Sequence, residues 1–282
     1  MPITYTPLRF PGGKSKLYPF VDSLLETNGL VGGTYAEAFC GGSGLATKLL
    51  LKGRVSRIVL NDLDIAVYSV WDAIVNHPDA LCHFIETVPL TVEEWKKQRE
   101  TYRRASKPSL RLGKAAFYLN RTNRSGILKG GLIGGLNQTG KYKMSVRFNK
   151  QNLVAKVGAI AKRKDDITLY NLDALDFMAQ VAPKLEDCSL LYLDPPYVKR
   201  GPELYKRSFE EQDHGKLARA IRSYKGKWMV TYDMEELVDN LYQPDEGWPI
   251  TVGTIPVSYS AANHMVESER LILGPGLVVP KD

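Results

Sequence analysis

The sequence predicts an α/β fold: a Rossmann-like, mostly parallel sheet into which a mainly helical and loop-built segment is inserted. Three observations predict it. Short apolar, strand-like runs alternate with stretches of helical apolar spacing on both sides of the chain's middle. The runs that carry chemistry, among them "CGGSG", "LNDLD" and "LDPPY", fall where the strand-like runs end, the edge at which α/β sheets bind ligands. Between about residues 75 and 165 the alternation stops and Lys and Arg become dense.

In chain order, "GTYAEAF" reads as a short strand and "GLATKLLLKG" as a helix closed by Gly53. "SRIVLND" is a second strand, and "DIAVYSVWDAIVNH" a helix with apolar residues at helical spacing. Two or three helices are expected next, followed by "NRSGILKGGLIGGLNQTGKYKMSVRFN", a loop rich in Gly, Asn and basic residues with a turn at "NQTGK". "ITLYN" and "LLYLD" are strands separated by the helical "DALDFMAQV". "FEEQDHGKLARAIRSY" places Leu217, Ile221 and Tyr224 at helical spacing, and the strand "KWMVTYD" follows it. "ITVGTIPVSYS" and "ERLILG" are close enough to form an antiparallel pair at the sheet edge.

The chain has 282 residues, 44% hydrophobic and 24% charged, which fits a soluble globular protein with one large domain or a core domain carrying an insertion. No apolar run approaches the ~18 residues of a membrane helix, and the N-terminus lacks a secretory pattern. Cys40, Cys82 and Cys188 form no CxxC pair, and the four histidines have no ligand spacing. A reducing cytoplasm is therefore expected, without a metal site. Net charge is +7, unevenly distributed. From Lys96 to Lys164 there are 19 Lys or Arg and one acid, Glu100, whereas the rest of the chain is acidic. So lopsided a segment attracts a polyanion, and the interleaved Tyr102, Phe117, Tyr118, Tyr142 and Phe148 suit nucleic acid.

In "YAEAFCGGSGLA", Gly41, Gly42 and Gly44 lie between a strand and a helix, where the backbone can approach a ligand closely. Asp62, about 20 residues on, ends the next strand at the distance of a ribose-binding acid. The lysine of a phosphate-binding loop is missing, so a nucleoside-type cofactor without phosphates fits better than a nucleotide. In "LRFPGGKSKL", Lys14 follows two glycines, and its ammonium could reach a carboxylate; taken alone this stretch is a surface loop.

"LLYLDPPYVKR" ends a core strand on Asp194, Pro195, Pro196 and Tyr197. The prolines fix the backbone and remove donors, which leaves the Pro195 carbonyl to point into a pocket. An acid and a carbonyl together accept both hydrogens of an –NH₂ group, and Tyr197 offers a flat face for a planar ring. An aromatic amine is a poor nucleophile because its lone pair is delocalised; accepting both N–H bonds helps to localise it.

These runs together resemble a DNA adenine methyltransferase of the Dam type, in the order cofactor motif, recognition region, DPPY. "RFPGGK" resembles the family's opening motif, "EAFCGGSG" its glycine motif, "LNDLD" its ribose-binding acid, "LYNLDALDF" the segment near the cofactor's adenine, and "LNRTNRSGI" the start of its recognition region. The resemblance implies S-adenosylmethionine as methyl donor, held by Phe10 (where the family commonly has Trp), Lys14, Glu37, Phe39, Gly41, Asp62, Asp173 and Asp194. Lys14 would meet the methionine carboxylate. Asp194, Pro195, Pro196 and Tyr197 would form the catalytic motif, acting on an adenine extruded from double-stranded DNA by direct displacement. Asn120, Arg121, Arg124 and Lys129 are candidates for base or phosphate contacts.

Arg124-Ser125-Gly126 stands where the family often has aromatic-Asn-Gly, so no particular target site is implied. Residues 1–75 with 165–282 would form the catalytic domain and 76–164 the inserted target-recognition domain. A monomer without an obligatory protein partner is expected. Similar DPPY sites serve glutamine or RNA amino groups; the basic insertion favours DNA.

Overall fold

The computed structural model describes residues 4–10, 12–199, 209–259 and 265–281. Its strands are β1 (Thr34–Glu37), β2 (Arg57–Asn61), β3 (Ile167–Tyr170), β4 (Leu190–Leu193), β5 (Lys227–Tyr232), β6 (Thr251–Tyr259) and β7 (Met265–Leu273). They form one sheet in the order β3-β2-β1-β4-β5-β7-β6. The first five named are mutually parallel; β7 runs antiparallel to both β5 and β6. The antiparallel pair expected at the edge is therefore present.

Short, buried central strands, β1 and β4 above all, explain the apolar runs. Along β4, Leu190 and Tyr192 face one core while Leu191 and Leu193 face the other. Along β5, Met229 points to the first core, and Trp228 and Val230 to the second. The first face is covered by α1 (Tyr18–Thr27), α2 (Gly44–Leu51) and α3 (Ile65–Val75). The second is covered by α8 (Ala174–Gln180), α9 (Glu211–Ser223) and α10 (Glu236–Leu241).

The basic segment is more helical than its sequence suggested. Four helices lie between residues 76 and 164, the stretch that contains it: α4 (Pro78–Thr87), α5 (Val92–Arg104), α6 (Leu110–Thr122) and α7 (Lys150–Ala161). The fourth, α7, carries Leu153, Val157 and Ile160 on one buried stripe. These helices extend the first core: Phe117, Tyr118 and Leu119 bury in the same cluster as Trp71 and Ile74 of α3. The aromatic reading of this segment is corrected accordingly. Tyr102, Phe117, Tyr118 and Phe148 are core residues, and of the five only Tyr142, 60% exposed, faces solvent.

Helix α6 lies close against α3 at Gly113. A Cβ there would stand 2.2 Å from the Ser69 carbonyl oxygen, so the backbones approach at a distance only glycine permits. In an open helix, replacing Gly by Ala stabilises by up to about 1 kcal/mol. Here overpacking, typically ~1–3 kcal/mol, outweighs that gain. Gly113→Ala is therefore expected to lower the thermal midpoint by a few degrees, at about 2–4 °C per kcal/mol. A midpoint equal to or above that of the parent in calorimetry would show that the helices do not meet there.

Candidate active site

The strand order reverses between β1 and β4, whose neighbours on either side are reached by crossovers of opposite direction along the sheet. Such a reversal leaves a crevice at the carboxyl ends of the two strands. The glycine turn leaves β1 there, and Asp194 follows β4 directly.

Three strand ends are fastened by one side chain. Asn61, buried at the end of β2, donates to the Ala38 carbonyl (2.9 Å) and the Leu172 carbonyl (3.1 Å), and accepts from the Leu172 N–H (2.9 Å). Asp62 follows. Its carboxylate accepts the Gly41 N–H at 2.9 Å on one oxygen and the Asp64 N–H at 2.9 Å on the other. Burial nevertheless pushes the Asp62 carboxyl up to about 7, against the N–H bonds that favour its charged form. The glycine turn itself is compact: Gly41 has φ 46°, and a Cβ on Gly41 or Gly42 would come within 3.1 or 3.0 Å of Phe10 carbons. Phe10 thus lies directly on the turn, and Trp71 Nε1 holds the Gly41 carbonyl at 2.9 Å.

Glu37 and Phe39 leave β1 on either side of Ala38. Phe39 is partly exposed and meets Phe209 edge-on, ring centroids 5.8 Å apart. Glu37 is buried beneath the turn and accepts the Ser43 hydroxyl at 2.6 Å. Burial pushes its carboxyl up to about 8, and the nearby Asp194 charge adds to the shift. Asp173, at the carboxyl end of β3, caps α8 by accepting the Leu175 N–H at 3.0 Å.

Lys14 is not on a surface loop. It is 7% exposed, and its ammonium lies 2.9 Å from Asp194 Oδ2 and donates at 2.7 Å to the Tyr197 hydroxyl and at 3.2 Å to the Gly12 carbonyl. Asp194 is 20% exposed, with Pro195 and Pro196 buried behind it. Its other oxygen accepts the Thr231 hydroxyl at 2.9 Å, and that hydroxyl meets Tyr192 Oη at 2.6 Å. Thr231 can donate only one hydrogen, so Tyr192 donates to Thr231 and Thr231 to Asp194. Sequence reading missed Thr231: its β5 run, "KWMVTYD", signals only a buried strand.

The four expected DNA contacts divide. Asn120 is corrected: it is 2% exposed, its oxygen accepts the Arg9 N–H (2.9 Å), and its amide donates to the carbonyls of Arg9 (2.7 Å) and Gly126 (3.0 Å). A carboxamide engaged in this way fixes backbone and does not read a base edge. Arg121 is half-buried, with its guanidinium on the Arg147 and Pro7 carbonyls (2.8 and 3.2 Å). Burial, followed by the charges of Arg9 and Arg147, pushes it down to about 10. Arg124 and Lys129 are exposed.

A family model, D12 class N6 adenine-specific DNA methyltransferase, matches residues 10–252. The chain belongs to that family. It is an adenine-specific DNA methyltransferase that draws its methyl group from S-adenosylmethionine. No curated protein matches in sequence. Among solved structures, the rRNA methyltransferase aviRa from Streptomyces viridochromogenes is 14% identical, with 94% of this chain and 86% of that chain covered, at a TM-score of 0.40. A SAM-dependent methyltransferase from Agrobacterium tumefaciens is 10% identical, covering 93% and 62%, at 0.42. One from Neisseria gonorrhoeae is 13% identical, covering 93% and 72%, at 0.35. Among the described residues, no group of three His, Cys, Asp or Glu could hold a metal ion, and no helix is long and apolar enough to cross a membrane.

The raised Glu37 carboxyl has a pH consequence for this methyltransferase. Its folded value, about 8, exceeds the ordinary carboxylate value, so between roughly pH 4.5 and 8 the folded state binds the proton that the unfolded state has released. Stability therefore falls as pH rises through that window, by up to about 1.4 kcal/mol per pH unit. Urea melts from pH 5 to 9 are expected to show wild type losing stability relative to Glu37→Gln until about pH 8, then a constant difference. Parallel curves would mean that Glu37 is ionised throughout.

Proposed function

We propose that this methyltransferase modifies the N6 amino group of adenine at a specific sequence in duplex DNA, with the base turned out of the helix into the β1/β4 crevice. The observation that carries this reading is the convergence of Asp194, Tyr197 and Lys14 beside the glycine turn, at the point where the strand order reverses. An adenine amino group stacked within a duplex cannot reach a carboxylate at a strand end, so extrusion is required.

The residues present fit S-adenosylmethionine. The glycine turn lacks side chains where Phe10 lies on it, Asp62 is aimed by two N–H groups as an acceptor for ribose hydroxyls, and the cation of Lys14 suits a carboxylate. Glu37 acts from beneath by fixing Ser43; Phe39 and Asp173 line the adjoining strand ends. When bound, the cofactor supplies an electrophilic methyl group on a sulfonium. Asp194, held by the Thr231 hydroxyl, and the Pro195 carbonyl accept the two amino hydrogens and so favour the nitrogen lone pair. Pro196 keeps the turn rigid, and Tyr197 stacks on the adenine. Transfer by direct displacement then depends on alignment, and no covalent link to the protein forms.

Residues 76–164 serve in this reading as the target-recognition region. The irregular loop after α6 exposes Leu136, Tyr142 and Val146 among Lys141, Lys143 and Arg147, and Arg124 and Lys129 precede them. Exposed apolar side chains amid cations suit a nucleic-acid face. Arg9, Arg121 and Arg147 also repel one another, a cost that a phosphate backbone would relieve.

Single-base methylome sequencing of a host lacking adenine methylation, expressing this protein, is expected to show N6-methyladenine in one discrete motif, and Asp194→Ala is expected to abolish it while DNA binding persists. Methylation without a motif would remove the sequence specificity. Activity surviving in Asp194→Ala would remove the assigned site.

The split among the recognition residues is checked separately. Arg124→Ala is expected to leave the thermal midpoint unchanged and weaken or relax DNA binding. Asn120→Ala, which strands three backbone groups that are buried or part-buried, should cost about 1–3 kcal/mol of stability. The reverse pattern in melts and binding titrations would return Asn120 to the DNA face.

A further inference from the structure

The carboxyl end of β5 grips the Asp194–Tyr197 motif at both of its ends. The buried Thr231 hydroxyl donates to Asp194 at 2.9 Å. Two residues on, just past the strand, half-buried Asp233 accepts the Val198 N–H at 3.2 Å on one oxygen and the Lys199 N–H at 3.1 Å on the other. The Lys199 ammonium pairs with Glu235 at 2.6 Å, which leaves the Asp233 oxygens to the backbone.

Pro195 and Pro196 have fixed φ and no N–H, so they stiffen the chain only as far as Tyr197. There ψ of Tyr197 decides how the next planar peptide is turned, and so how the backbone leaves the ring. Holding the N–H of that peptide, and of the one after it, on a single carboxylate fixes this torsion. The Tyr197 hydroxyl takes the Lys14 ammonium at 2.7 Å, a contact that holds the tip of the side chain and not the backbone from which it projects. We infer that Asp233 is a positioning residue for methyl transfer: by binding the two N–H groups that follow Tyr197, it sets the ring on which the target adenine stacks. The inference rests on the proposed stacking role of Tyr197. Without the carboxylate the two N–H groups turn to water, and the ring samples orientations that meet the base poorly.

Single-turnover methylation of duplex DNA, with enzyme and cofactor saturating, tests it. Asp233→Ala is expected to slow transfer by about tenfold or more, though by no more than Tyr197→Ala does, while the Kd for S-adenosylmethionine stays within about threefold. Asp233→Asn, which keeps one accepting oxygen, should lose less. Added to Tyr197→Ala, where no ring remains to be set, Asp233→Ala should cost less than about a further twofold. Added to Tyr197→Phe, which keeps the ring and drops the hydroxyl, it should cost its full amount.

An Asp233→Ala rate within about twofold of wild type overturns the inference, as does an equal loss with and without the ring, the mark of a merely structural aspartate. Should Asp233→Ala fail to fold, Asp233→Asn is compared in the same backgrounds. A several-fold loss confined to the enzymes that carry a ring at residue 197 upholds the role, and equal losses or no loss overturn it. If neither variant folds, the carboxylate serves the fold and the inference falls. A wild-type rate in Tyr197→Ala would remove the stacking role itself, and transfer persisting in Asp194→Ala the assigned site; either takes the inference with it and is read without touching Asp233.

Discussion

The whole arrangement depends on two parallel strands, β1 and β4, lying side by side although more than 150 residues separate them in the chain. Parallel neighbours need long crossovers, and crossovers that leave in opposite directions cannot cover the same strand ends. The opening is therefore a consequence of topology, and chain entering or leaving the strands beside it must supply the site. The glycine turn follows β1; Asp62 after β2 and Asp194 after β4 place acids on either side. Asn61 makes the rim rigid by hydrogen-bonding across the ends of β1, β2 and β3.

So many acids at one buried rim create an electrostatic problem. Glu37, Asp62, Asp194 and Glu269 converge, and burial raises the carboxyls of Glu37 and Asp62. Each acid is met differently. Glu37 takes a hydroxyl, Asp62 two N–H groups, and Asp194 a hydroxyl and an ammonium. Lys14 is the cation shared by two of them, which accounts for a lysine from the N-terminal segment being buried at all. Replacing Lys14 alone takes this cation from both acids, whereas replacing one acid leaves the other to balance it.

The sheet was legible because its strands are short, apolar and bounded by motifs, and because βα alternation restricts topology. The site's loop residues were legible for the same reason: glycines, prolines and acids at strand ends have few structural uses. What sequence could not reveal were partners whose residue types are ordinary in their setting. Thr231 and Glu269 lie in strand runs where alternation marks them only as positions. Asn120 looked like a base reader because its residue type suits adenine, yet its position on the buried side of α6 commits it to the Arg9 backbone. The aromatics of the basic segment failed similarly, since periodicity that serves a core also scatters rings among lysines.

The corrected Asn120 is more informative than a DNA contact would have been. Its carboxamide grips both polar groups of the Arg9 peptide, one residue before Phe10 and five before Lys14, while its amide also holds Gly126 in the loop after α6. Arg121, the next residue, fastens the Pro7 and Arg147 carbonyls. The segment that supplies Phe10 to the glycine turn and Lys14 to Asp194 is thus bound to the same helix end that presents Arg124 to solvent. Helix α6 is in turn fixed to α3 at Gly113, with no room for a side chain between them. The exposed loop and the segment that carries Lys14 are therefore joined through one helix end by a few hydrogen-bonded residues.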